Sequence, residues 1–253
     1  MKIKSYFLLR EIKIPEFNRE ELLTHLVSIL KSGNKFFAFA LHVQALQAVK
    51  FPDYRKAFSL PNITYVDGVS ILALLKSRKL NSRISKYPTT DLGHDLIDAF
   101  QNDTQRTCRI ALIGGPEQLA KQAIAVLEKK HKCHGVFFCS GFESDWTRQM
   151  EDLRKSSPDL VFVGMGCPTE NIFCVINSSK LPDSLVVTCG GWFKFIVSAE
   201  TRAPLLIQRL GLEWSWRLAQ DPKRLLRRYS RGALNLTFLL FWRRREIKYC
   251  GDR

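Results

Sequence analysis

The stretch IALIGGPEQLAKQAIAVLEKKHKCHGVFFC, residues 110–139, decides the fold. It contains two short apolar runs, Ile110–Ile113 and Val136–Cys139, on either side of a helical pattern at Glu117–His131. The apolar residues of the helical pattern share one stripe, and lysines lie opposite. Apolar runs without polar alternation are typical of parallel strands that helices cover on both faces. This order predicts a βαβ unit in a parallel sheet.

The same alternation continues on both sides of this stretch. Four more apolar runs are predicted strands: Phe36–Leu41, Ile63–Val66, Leu160–Val163 and Leu185–Thr188. Two further helices are predicted, Asp91–Phe100 with Thr90 as its cap, and one ending at Lys155 with Ser144 as its cap. We therefore predict an α/β fold with a mainly parallel Rossmann-like sheet of about six or more strands, flanked by helices.

The charge is concentrated near the end of the chain. The 253 residues contain 39 Lys and Arg against 24 Asp and Glu, a net charge of +15, and residues 201–253 contribute +9. We predict an α/β core at 1–200 and a basic helical C-terminal appendage at 201–253. In 222–245 an apolar face adjoins an arginine stripe, which is typical of a helix lying on an anionic membrane surface.

Two alternatives remain for this appendage. Its apolar face could pack on the core or on another subunit, so a homo-oligomer stays open. Nucleic acid is not expected as a partner, because the sequence has no helix-turn-helix, zinc-finger, RRM or KH signature beside the basic stripe.

The sequence favours a cytoplasmic protein. The seven cysteines form no CxxC pair, the N-terminal apolar run is too short for a signal peptide, and no stretch reaches the ~20 apolar residues of a spanning helix. We expect mostly buried, reduced thiols and a location in the cytoplasm.

Ligands of a parallel sheet bind beyond the carboxyl ends of its strands, and glycine follows five of the six predicted strands closely. Glycine lets a ligand approach the backbone, and amides at helix starts favour phosphate; each glycine could instead only relieve a strained turn. The candidates that this pattern places at the substrate site are Gly114, Gly115, Gly141, Phe142, Gly166, Gly190 and Gly191.

Two polar residues directly follow strands. Asp67 is the candidate general base, because a half-buried carboxylate can have its pKa raised; the alternative is a turn residue that caps a helix at Val69. His42 is either catalytic or structural. The sequence shows no metal-ligand spacing, GxGxxG, Walker lysine or GxSxG, so we expect no metal or cofactor.

Roughly residues 35–232 resemble the bacterial WecG/TagA/CpsF glycosyltransferases (glycosyltransferase family 26). The ordered signatures are Asp67-Gly68, Thr90-Asp91-Leu92, Gly114-Gly115, Pro158–Pro168, Gly190–Phe195, Arg202-Ala-Pro204, Gly211–Arg217, Asp221–Arg224 and Arg228-Tyr229. The C-terminal signatures, Glu-Trp-x-x-Arg followed by Pro-x-Arg, are the most specific of them.

The resemblance implies an inverting, metal-independent transfer from a UDP-sugar to a polyprenyl-diphosphate-linked acceptor. It places the protein peripherally on the inner face of the cytoplasmic membrane, in bacterial surface polysaccharide synthesis. Asp67 matches the family's proposed base, and Arg217, Arg224 and Arg228 match arginines assigned to the diphosphate. The resemblance adds three substrate-binding candidates: Pro168, Glu170 and Arg202.

The chain departs from the family at three places. It has Ala40-Leu-His42 for Thr-x-Asn, Pro168-Thr-Glu-Asn171 for Pro-Lys-Gln-Glu, and Lys194 for Asp in Gly-Gly-x-Phe-Asp-Phe. Two explanations remain open: a different sugar or acceptor, or a catalytically weakened homologue that acts as a membrane- or nucleotide-binding partner. His42 is the hypothetical replacement for the missing Thr or Asn.

Overall fold

The computed structural model has an α/β core built on one parallel sheet. It describes residues 3, 5–9, 11–48, 52–60, 62–198, 203, 204, 206, 207, 212–220, 222 and 247–251. The strands are β1 Tyr6–Leu9, β2 Ile12–Pro15, β3 Phe36–Leu41, β4 Ile63–Val66, β5 Cys108–Ile113, β6 Cys133–Cys139, β7 Leu160–Val163, β8 Leu185–Thr188 and β9 Ile247–Cys250.

Helices alternate with the strands of the core. They are α1 Arg19–Ser32, α2 Val43–Ala48, α3 Pro52–Ala57, α4 Val69–Lys76, α5 Thr89–Thr104, α6 Glu117–Lys130, α7 Thr147–Lys155, α8 Thr169–Ile176, α9 Trp192–Ile196 and α10 Glu213–Gln220. None of the helices in these described ranges combines the length and apolar character needed to cross a bilayer.

The six core strands have the order β4-β3-β8-β7-β5-β6, and every neighbouring pair is parallel. Their carboxyl ends therefore meet at one edge of the sheet. This confirms the predicted fold class. Four predicted strands match their observed bounds, while β5 and β6 begin two and three residues earlier than predicted, at Cys108 and Cys133.

Each face of the sheet has its own hydrophobic core. One face packs against α2, α3, α4, α7 and α8, and the other against α1, α5, α6 and α9. Strand residues such as Leu112, Val161 and Phe162 are completely buried. Burial on both faces explains why the strands are almost purely apolar.

Two predicted helix caps are wrong. Thr90 lies inside α5, which begins at Thr89 after Pro88, because Asp67 binds the Thr89 amide and fixes the start of the helix. Ser144 precedes α7 by three residues; the Thr147 amide instead donates to Asp145 Oδ1 at 2.9 Å.

A second sheet, which the sequence did not predict, joins both ends of the described chain. Its antiparallel order is β2-β1-β9, so residues 247–250 form a strand and not part of a helical appendage. Its apolar side chains, including Phe7, Ile14 and Ile247, join the core on the α2–α4 face. The division of the chain at residue 200 stays a prediction.

A buried carboxylate holds this second sheet against the rest of the protein. Glu16 is 3% exposed and accepts hydrogen bonds from Ser82 Oγ at 2.6 Å, Ser5 Oγ at 2.7 Å and the Tyr249 hydroxyl at 2.8 Å. Burial alone would raise the pKa of Glu16, but these bonds and the Lys79 charge outweigh it and lower the pKa from 4.5 to about 2.

Candidate active site

Asp67 is held at the carboxyl edge of the sheet by the start of α5. Its Oδ1 accepts the Thr89 amide at 2.7 Å and the Thr89 hydroxyl at 3.4 Å, while its own amide donates to Leu41 O at 3.1 Å. Gly68 occupies the N-cap position of α4, and the alternative role of Asp67 as a turn residue capping the helix at Val69 stays a prediction.

A chain of hydroxyl groups orients Asp67 from beneath. The Tyr65 hydroxyl lies 2.7 Å from Thr89 Oγ1 and 3.3 Å from Thr188 O, and Thr89 Oγ1 lies 3.4 Å from Asp67 Oδ1. Thr188 Oγ1 in turn accepts the Ala40 amide at 3.0 Å. Burial, followed by the Asp67 charge, raises the pKa of Tyr65 well above 10.0, so it remains a neutral hydrogen-bonding group.

Sequence reasoning missed this hydroxyl chain. The available signal was polar groups in two short, buried strands, Tyr65 in β4 and Thr188 in β8. Buried polar groups need partners, so two such groups in one sheet indicate a network.

His42 lies beside Asp67 at the same edge. It follows β3, the strand next to β4, and its carbonyl accepts the Ala45 amide at 2.9 Å. A Cβ placed on Gly68 would lie 3.9 Å from His42 Cβ, so the two loops are neighbours. The structure brings both predicted catalytic residues together, and their roles stay predictions.

Close backbone packing explains two of the glycines at this edge. Gly114 has φ +144°, and a Cβ there would lie 2.2 Å from Gly164 O. A Cβ on Gly141 would lie 2.9 Å from Gly114 Cα. Side chains at these positions would push the loops after β5, β6 and β7 apart. For Gly114 and Gly141, steric packing is therefore sufficient reason for glycine.

Other glycines border open space. A Cβ on Gly166, Gly190 or Gly191 would meet nothing within 4 Å. The loops after β7 and β8 therefore leave room for a ligand next to their backbone. This is the arrangement that a phosphate-binding crevice needs.

Glu170 is buried beneath these two loops, with 1% of its surface exposed. Its Oε2 accepts the amides of Gly166 and Gly190, each at 2.9 Å. Burial is the largest influence and raises the pKa of Glu170 to about 7, against the lowering effect of the amides of Gly190, Gly166 and Met165; the Asp67 charge adds to the rise. Glu170 thus contacts the loops, and its role in substrate binding stays a prediction.

The remaining predicted substrate-binding residues are only partly described. Phe142 is 77% exposed after β6, and Pro168 is exposed and follows a cis peptide bond with Cys167. The backbone of Arg217 lies in α10, but its side chain is outside the described part of the chain. The other three arginines lie outside the described residues: Arg202, Arg224 and Arg228.

A cleft of about 690 Å³ lies between α5, α6 and α9. In its wall, His94 Nδ1 lies 2.8 Å from His131 Nε2, and His131 Nδ1 lies 2.6 Å from Asp98 Oδ1. Burial, then the Lys130 and His131 charges, lowers the pKa of His94 to about 4. Within the described ranges, no group of three His, Cys, Asp or Glu could hold a metal ion.

Comparison with known proteins identifies the family. Residues 7–249 match the glycosyl transferase WecG/TagA/CpsF family, from β1 into β9. The chain belongs to this glycosyltransferase family. A Bacillus subtilis (strain 168) relative is named N-acetylglucosaminyldiphosphoundecaprenol N-acetyl-beta-D-mannosaminyltransferase. It is 28% identical over 217 residues, which cover 84% of this WecG/TagA/CpsF chain and 79% of the relative.

Proposed function

We propose that this protein transfers a sugar, with inversion and without a metal, from a UDP-sugar to a polyprenyl-diphosphate-linked acceptor. Bacterial surface polysaccharide synthesis is the process we assign to it. The name of the Bacillus subtilis relative supports this acceptor class and N-acetylmannosamine as the transferred sugar. The observation that supports the chemistry is the Asp67 carboxylate, fixed by Thr89 at the carboxyl edge of a parallel sheet.

In the proposed reaction, the acceptor hydroxyl attacks the anomeric carbon of the donor while Asp67 accepts its proton. A new C–O bond forms as the bond from the anomeric carbon to the diphosphate breaks, and UDP leaves with that electron pair. Attack opposite the leaving group inverts the anomeric configuration. The Thr89 amide and the Tyr65–Thr89 hydroxyl chain hold Asp67 oriented before the proton moves.

The diphosphate needs stabilising charge as it leaves. We assign this role to the open backbone at Gly166, Gly190 and Gly191 and to the family arginines Arg217, Arg224 and Arg228. We also propose that the basic segment at residues 222–245 holds the protein peripherally on the inner face of the cytoplasmic membrane. Flotation with anionic and neutral vesicles tests this: the full chain should bind the anionic vesicles, and a variant with Arg243, Arg244 and Arg245 changed to Gln should bind less.

The decisive experiment measures transfer from UDP-N-acetylmannosamine to a diphosphate-linked N-acetylglucosamine acceptor with a lipid tail. Asp67→Asn should lower kcat by about 10²- to 10⁴-fold while donor binding persists. Asp103→Asn, at the exposed far end of α5, is the matched control and should keep full activity. NMR of the product should show inversion, and EDTA should leave the rate unchanged.

Two outcomes would contradict parts of this proposal. Full activity in Asp67→Asn would show that another group accepts the proton. Binding of UDP-sugars without turnover of any acceptor would favour the weakened homologue, to which the changed residues His42 and Lys194 point.

A further inference from the structure

Glu170 forms the connection between two loops that border the open space next to Gly166, Gly190 and Gly191, which we call the crevice. It lies in the first turn of α8, and its Oε2 accepts one amide from the loop after β7 and one from the loop after β8, each at 2.9 Å. The open space next to Gly166 and Gly190 lies alongside the same backbone. A ligand in the crevice and the Glu170 carboxyl are therefore separated by one layer of backbone.

The surroundings of Glu170 supply negative charge. Its titratable neighbours are Tyr54 on α3, Tyr65 on β4, Asp67 after β4, Cys174 on α8 and Cys189 after β8. Burial raises the pKa of the two tyrosines and the two thiols, so these four stay neutral. Asp67 is the member of this set whose charge acts on Glu170 at neutral pH.

We propose, on the basis of the proposed function, that donor binding is coupled to proton uptake at Glu170. When the diphosphate of a UDP-sugar enters the crevice beside Asp67, the Glu170 carboxylate takes one proton from solvent. The reason is electrostatic: a third negative group in a buried site makes the ionised form of Glu170 less favourable. Glu170 is then a positioning residue, because it acts on the donor through the Gly166 and Gly190 loops.

The expected size of the effect follows from the pKa of Glu170, which burial raises to about 7. If the donor raises this pKa by one further unit, binding takes up about 0.5 proton per site at pH 7.5. By the same linkage, donor affinity should weaken by up to about tenfold between pH 6 and pH 8.5.

Calorimetric titration with UDP-N-acetylmannosamine measures this proton uptake. Both phosphates of this probe are esterified, so neither titrates near neutral pH. Binding heats at pH 7.5 in HEPES, MOPS and Tris, which differ in ionisation enthalpy, give the number of protons taken up. Glu170→Gln keeps the shape of the side chain and has the residue of the family signature, but it cannot ionise; Glu151→Gln on the exposed surface of α7 is the matched control.

We expect uptake of about half a proton in the native protein and in Glu151→Gln, and none in Glu170→Gln. Donor binding without proton uptake, or equal uptake in Glu170→Gln, overturns this inference and leaves the proposed function intact. No binding of any UDP-sugar overturns both. If Glu170→Gln does not fold, the native protein alone decides: affinity that is flat from pH 6 to pH 8.5 refutes the coupling.

Discussion

Glu16 should be one of the most important carboxylates for stability. Hydrogen bonds and the Lys79 charge lower its pKa from 4.5 to about 2 while it is 3% exposed. A displacement of this size corresponds to about 3 kcal/mol of stability at pH 7. Because the folded-state pKa is the lower one, this contribution is complete above about pH 4.5 and is lost as the pH falls towards 2.

The perturbation is Glu16→Gln, which keeps the shape and removes the charge. Urea unfolding should show a loss of about 3 kcal/mol at pH 7 that shrinks to about 1 kcal/mol at pH 3, because at pH 3 the Glu16 carboxyl group of the unfolded chain is protonated. The exposed Glu151→Gln should change stability by less than about 0.5 kcal/mol at either pH. The difference between the two variants cancels the titration of all other groups.

Tyr249→Phe gives an independent measurement of the same cluster. It deletes the 2.8 Å hydrogen bond from β9 to Glu16 and should cost about 1.5 to 3 kcal/mol at pH 7. A loss in Glu16→Gln that stays the same from pH 3 to pH 7 would refute the reasoning, because it would show a steric effect and not a charged one.

Three further predictions concern the core and the site. The pKa of Glu170 is raised to about 7, so the free energy of unfolding should fall by about 3 kcal/mol as the pH rises from 4.5 through 7. Glu170→Gln should lack this decline, and an equal decline in that variant would contradict the prediction. The pKa of His94 is lowered to about 4, so its ring should stay neutral until the pH falls well below 6.5, which an NMR titration of the ring checks. Stability should therefore decline as the pH falls from 6.5 to 4, and His94→Gln should remove this decline. Gly114→Ala should lower the free energy of unfolding by about 3 kcal/mol or more, because its Cβ would lie 2.2 Å from Gly164 O. The control Gly33→Ala, at the open end of α1, should lower it by about 1 to 2 kcal/mol. Equal shifts of the two variants in thermal unfolding would exclude the steric explanation.

Hydrophobic patterning predicted the parallel sheet because its strands are buried on both faces. Phe36–Leu41 and Leu185–Thr188 are such runs, and their observed bounds match. The second sheet was not predictable in this way. β1 and β9 are separated by 237 residues between their nearest ends, and strands of four residues give too short a pattern for local recognition.

The site was predictable where it depends on the ends of strands. Asp67 and His42 follow adjacent strands, and this position brings them together. The position of Glu170 was not predictable, because it depends on the side chain turning back towards the amides of Gly166 and Gly190. The His94–His131 contact joins α5 to the end of α6, and no sequence spacing indicates it.

The pairing of β9 with β1 changes how the basic segment can be studied. Residues 223–246 lie between the described Pro222 and β9, so the chain that follows this segment is held in the second sheet. Truncation before β9 would remove Tyr249 from Glu16 and expose the edge of β1 to pairing with other molecules. Loss of membrane binding in such a truncation would be confounded by aggregation. The informative deletion is internal: it removes charge from the segment and rejoins the chain to an intact β9 through a flexible linker.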